Sequence, residues 1–145
     1  MSPELKIYAI CSSILTLQML FLGGLTAGVR AKRKGYLNPE DRGVSYSDAT
    51  FVDGAEHPDT LRVQRAHRNL LESLPMFFAL GGIYLATGAP ALGATICFLA
   101  FTGARVLHTI VYLKALQPWR TIFYALGSLS LIAQVVLIMM TVLKN

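Results

Sequence analysis

The sequence predicts an all-α integral membrane protein, a bundle of four transmembrane helices in up-down topology, and three observations carry that prediction. Of its 145 residues 54% are hydrophobic and 14% charged, a balance too apolar for an ordinary soluble domain. The charges gather between long uncharged runs instead of spreading along the chain. Those runs have the roughly 20-residue length that a helix needs to cross a hydrocarbon core. The expected layout is one membrane domain over residues 1–145, with spans at about 5–33, 60–87, 90–115 and 118–143 and a loop at about 34–59.

The first span is the plainest. Ile7 to Val29 is uncharged for 23 residues and ends at the basic cluster "RAKRK". Glu4 and Lys6 precede it and no small-residue cleavage pattern follows, so it is expected to stay as a span and not to leave as a signal. The polar stretch from Lys34 to Asp59, rich in Gly, Asp, Ser and Pro, is long for a mere connection and reads as a lid or site wall.

Residues 73–104 are uncharged for 32 residues, too long for one upright span and too short for two spans plus a turn. Two helices fit if "TGAP" at 87–90 is the break and each borrows a charged end, giving Arg65 to Thr87 and Pro90 to Tyr112, with Pro90 well placed at a helix start. A three-span alternative makes 73–104 one tilted helix and puts the termini on opposite sides. After "LKALQPW", the fourth span runs from Thr121 to Leu143.

Lysine and arginine number 13 against 8 acids, and with four spans ten of them share the side of the 1–2 and 3–4 connections, while Lys6 and Lys144 lie on the other. The basic side is therefore expected to be cytoplasmic. That clustering, without a basic stripe interleaved with aromatics, excludes nucleic acid as the partner and points to the lipid bilayer. Cys11 and Cys97 sit inside apolar runs and read as small hydrophobic residues; the scattered histidines predict no metal site.

Polar residues nevertheless enter three of the spans. Arg65, Arg68, Asn69 and Glu72 fall at i, i+3, i+4 and i+7, one face of helix two, and Arg105, His108, Thr109 and Tyr112 repeat the pattern near the same side in helix three. Helix four opens there with Arg120, Thr121 and Tyr124. Each stripe taken singly has a bland explanation: snorkelling arginines, an Arg68–Glu72 ion pair that holds the bundle, an interior hydrogen-bonded His108, belt tyrosines. Three stripes at one depth argue for a site facing the bundle interior or a watery cavity, suited to a small polar ligand with several carboxylates beside an apolar compartment.

The stretches "RVQRAHRNLLESLPMF" and "GARVLHTIVYL", with "NPED" preceded by "VRAKRKGYL", closely resemble the MAPEG family, the membrane-associated proteins in eicosanoid and glutathione metabolism. The motifs run from about Val29 to Tyr124, nearest the branch of microsomal glutathione transferases and microsomal prostaglandin E synthases. The resemblance implies a homotrimer of four-helix subunits, glutathione bound between neighbouring subunits on the cytoplasmic side, and a lipophilic substrate entering from the bilayer. It implies glutathione contacts at Arg30, Arg65, Arg68, Asn69, Glu72, His108 and Tyr112, and a catalytic group of Arg120, Thr121, Tyr124 and Asp41, the aspartate of "NPED". Thr121 replaces the serine of the prostaglandin synthase branch, and "LKALQPWR" is one residue shorter than the connection there.

Glutathione would offer two carboxylates to the arginines, an ammonium and amides to Glu72 and Asn69, and a thiol that must ionise before it attacks. A free cysteine thiol has a pKa of about 8.5, and a neighbouring cation favours its ionised form, the role expected of Arg120, with Thr121 donating to the sulfur. The expected function is a glutathione transferase or peroxidase acting on lipophilic electrophiles or lipid hydroperoxides. Two alternatives stay open: a glutathione-dependent isomerase of endoperoxides, and a non-catalytic scaffold that binds lipid.

Overall fold

The computed structural model describes residues 1–38, 50–51 and 56–144. Its helices are α1, Pro3–Lys32; α2, Pro58–Thr87; α3, Ala91–Leu113; and α4, Trp119–Val142, and between α1 and α2 the two-residue strands β1, Gly35–Tyr36, and β2, Thr50–Phe51, pair in parallel. All four helices are long and apolar enough to cross a membrane. Large apolar side chains such as Leu17, Phe21, Leu92, Leu99 and Ile132 stand exposed on the outside of the bundle, where lipid and not water is the solvent.

Local chemistry sets the helix ends. Ser2 caps α1, its hydroxyl accepting from the Leu5 N–H at 3.3 Å, with Pro3 in the first turn. The break inside the 32-residue uncharged run is at Gly88, which adopts the left-handed conformation at φ 67° as the C-cap of α2, and Pro90 starts α3. Two helices therefore replace the single tilted one of the three-span alternative. Pro75 lies inside α2, an interruption that membrane helices tolerate when neighbouring groups re-satisfy the freed carbonyl.

The core is aromatic towards the α2–α3 turn. Phe77 stacks on Phe101 with centroids 4.7 Å apart and meets Phe98 edge-on at 5.8 Å. Tyr8 from α1 lies 5.3 Å from the Phe98 ring, and its hydroxyl donates to the Phe78 carbonyl at 2.9 Å. Gly81 is needed for that approach, because a Cβ there would run into the Tyr8 ring. The Tyr84 hydroxyl donates to the Pro90 carbonyl at 3.0 Å, tying the turn to the helix before it.

Candidate functional site

The i+3 and i+4 spacing of α3 puts Arg105, His108 and Tyr112 on one side, and the packing of α4 against α3 brings Arg120, Thr121 and Tyr124 to them. Together with Asn69 of α2, His108, Tyr112, Arg120, Thr121 and Tyr124 line a cavity of about 240 Å³. His108 is buried at 4% exposure, 5.5 Å from the Tyr112 ring and 6.2 Å from the Tyr124 ring. The Arg120 guanidinium lies over the Tyr112 ring, 4.9 Å from its centroid, an attraction between a cation and a ring face.

Gln117, with its amide oxygen turned to Arg120, accepts from Nη2 at 2.7 Å and Nε at 3.1 Å. The Thr121 hydroxyl lies 3.3 Å from the same amide group. One side chain thus orients both the guanidinium and the hydroxyl, even though the connection is short.

A second cavity of about 250 Å³ opens deeper, where Asn69 and Tyr124 form the shared wall, Glu72 and Arg105 add charge, and Met76, Leu131 and Ile132 supply an apolar side. Arg105 is 3% exposed, donates to the Asn69 side-chain oxygen at 3.2 Å, and stacks its guanidinium 5.2 Å from the Phe101 centroid and 5.3 Å from that of Tyr124. Gly127 makes room for it, since a Cβ there would sit 3.1 Å from the Arg105 Nε. On the far side, the Gln18 amide donates to the Arg105 carbonyl at 3.0 Å and to the Thr109 hydroxyl at 2.5 Å, fastening α1 to this part of α3.

Of the helix-two stripe, expected to face the bundle interior or a watery cavity, Asn69 lines both cavities, while the three charged residues lie outside the packed interior. Val63, Ala66, Leu70, Ser73 and Phe77 are among the residues α2 buries, and Arg65, Arg68 and Glu72 stand exposed on the subunit surface. Glu72 still borders the deeper cavity. Among the described residues none of the three has an ion-pair partner, so Arg68 and Glu72 are not the structural pair of the bland explanation. Arg30 is not with the others. Its Nε bonds the Glu56 carboxylate at 2.6 Å, and Glu56, nearly buried, also accepts from Gln64. Asp41 lies outside the described residues.

Arg105 belonged to the sequence stripe but carried no expected role; Gln18, Glu56, Gln117 and Ser128 were not singled out. An amide in an uncharged membrane run, as at Gln18, was itself a signal, because polar groups are costly in hydrocarbon. Several buried polar atoms here lack partners among the described residues, including Arg105 Nε and Gln18 Oε1.

The chain matches the model of the MAPEG family over residues 8–140. It is 35% identical over 129 residues to prostaglandin E synthase of Homo sapiens, covering 88% of this chain and 83% of that one. It is 36% identical over 124 residues to microsomal glutathione S-transferase 1 of Sus scrofa, covering 83% and 79% respectively.

Proposed function

The chain belongs to the MAPEG family, and on that premise we propose that it is a glutathione-dependent membrane transferase, able also to reduce peroxides, that activates the thiol for attack on lipophilic substrates. The observation that carries the reading is the cavity where Arg120, Thr121 and Tyr124 meet Asn69, His108 and Tyr112, on the side where Arg65, Arg68 and Glu72 have no ion-pair partner among the described residues. These groups complement glutathione: arginines for its two carboxylates, Glu72 for its ammonium, Asn69 for a peptide group. An arginine held over Tyr112 keeps its charge near the sulfur and lowers the cost of the thiolate. Thr121 donates to that sulfur.

The exposed arginine face of α2 suits a homotrimer in which a neighbouring copy closes the glutathione site and supplies Arg30 from the end of its α1. The basic side is the cytoplasmic one. Lipophilic substrate enters the deeper cavity along Met76, Leu131 and Ile132 and meets the thiolate at Tyr124. In conjugation, sulfur bonds to the electrophilic carbon and the leaving group departs with the bonding pair. In peroxide reduction, sulfur takes the terminal oxygen, the alkoxide takes a proton, and a second glutathione releases water and the disulfide.

The identity to prostaglandin E synthase over most of the chain supports a second reading, isomerisation of an endoperoxide. One experiment separates these readings: titrating the purified protein with glutathione by calorimetry, then assaying an aryl halide, a lipid hydroperoxide and an endoperoxide. Conjugation or peroxide reduction supports the first reading, and isomerisation alone the second. Lipid binding without glutathione binding overturns both in favour of a scaffold.

A further inference from the structure

The cluster that closes α1 holds four cations, Arg30, Lys32, Arg33 and Lys34, and the proposed site uses only the first. Next to it, away from the cavities that α4 lines, α1 and α2 border a groove of about 330 Å³. Its floor is apolar: Leu25 and Val29 of α1, Val63 of α2, and Leu113 at the end of α3. Lys32, Arg33 and Arg62 rim it, with Asp59 as the one acid.

That acid is already engaged. Asp59 pairs with Arg33, and His57 Nδ1 lies 3.5 Å from the same carboxylate. Lys32 and Arg62 have no ion-pair partner among the described residues. Among the described residues the groove therefore offers two cations without an acidic partner at the level where helices leave hydrocarbon, above a wall that an acyl chain can follow. Basic clusters immediately outside a membrane helix and basic pockets between helices both attract acidic lipid headgroups. Snorkelling cations alone would collect such lipids diffusely; the apolar floor adds a place for one chain.

We propose that this α1–α2 groove holds one acidic phospholipid of the leaflet at this end of the bundle, its phosphate between Lys32 and Arg62 and its chain against Leu25, Val29 and Val63. The test places the full chain in nanodiscs of equal phosphatidylcholine and phosphatidylserine and counts, by native mass spectrometry, the lipid kept on gentle extraction. Phosphatidylserine should be retained in preference. The double substitution Lys32→Gln with Arg62→Gln should cut its retention about tenfold, while Lys114→Gln, a cation on the same side but off the groove, leaves it unchanged. Equal retention of both lipids overturns the proposal, as does a loss just as large in Lys114→Gln, which would mean diffuse attraction. Release by millimolar glycerol 3-phosphate also overturns it, assigning the cations to free phosphate. If the double variant does not fold, the wild-type preference and its resistance to glycerol 3-phosphate decide alone.

Discussion

Towards the α2–α3 turn the bundle is held by the rings of Tyr8, Phe77, Tyr84, Phe98 and Phe101, and its two phenols donate to backbone carbonyls. Towards the α3–α4 connection the same helices bury Arg105 and His108, leave Arg105 Nε without a partner among the described residues and present Arg65, Arg68 and Glu72 at the surface. A buried polar atom without a partner costs about 1–3 kcal/mol, a cost both regions carry, since Thr102 Oγ1, next to Phe101 in α3, lacks a partner among the described residues as Arg105 Nε does. What sets the second region apart is the charge it gathers. In lipid, where apolar surface gains little from meeting apolar surface, packing and hydrogen bonds carry helix association. The aromatic region supplies both, whereas the polar region gathers its charged and hydrogen-bonding side chains about two cavities.

Separating the two kinds of damage sharpens that comparison. Phe77→Ala, in the aromatic region, should cost about 3 kcal/mol of stability, the low end for a buried phenylalanine because lipid chains solvate the separated helices; thermal unfolding in detergent measures it, and protein that remains folded should bind glutathione normally. Arg120→Leu should do the reverse, lowering turnover by about 10²-fold, or about 2.7 kcal/mol, with the unfolding midpoint and glutathione affinity little changed. Arg120→Lys, which keeps the charge but not the planar fork, should fall between.

Arg68→Ala or Glu72→Ala should weaken glutathione binding about tenfold by calorimetry. A lower melting point at unchanged affinity would instead make the stripe a structural feature. The smallest effect is expected at Gly127→Ala. The new Cβ, 3.1 Å from Arg105 Nε, should push the guanidinium off Asn69 and weaken glutathione binding about two- to threefold, while the helix gains slightly from losing a glycine. Unfolding at a much lower temperature would show that Arg105 serves the packing after all.

How far the sequence revealed this arrangement follows from what periodicity can encode. Uncharged runs exposed the four spans, and "TGAP" exposed the break that Gly88 makes. The i+3 and i+4 spacings showed which residues share a face, and α3 and α4 do gather His108, Tyr112, Arg120, Thr121 and Tyr124 about one cavity. Spacing does not say where the neighbouring helices stand, so it left open whether the α2 stripe faces the interior or a watery cavity; Val63, Ala66 and Leu70 take the interior, and Asn69 and Glu72 border cavities. Partners far apart along the chain were equally invisible. Arg30 meets Glu56 across 26 residues and Gln18 meets Thr109 across 91, contacts set by packing alone. Gln117 was hidden for another reason: it stands before α4 begins at Trp119, where helical spacing assigns no face.

Because the account rests on a cation that ionises a thiol, the most direct measurement is the ultraviolet difference spectrum of glutathione added to the purified protein at neutral pH, in the wild type and in Arg120→Leu. The free thiol, with a pKa of about 8.5, is mostly protonated there. The wild type should show thiolate absorbance that saturates with glutathione, and Arg120→Leu should bind glutathione without it. A thiolate signal of full size in Arg120→Leu, with conjugating activity intact, would contradict the account and move the activation to Thr121, Tyr112 or Tyr124.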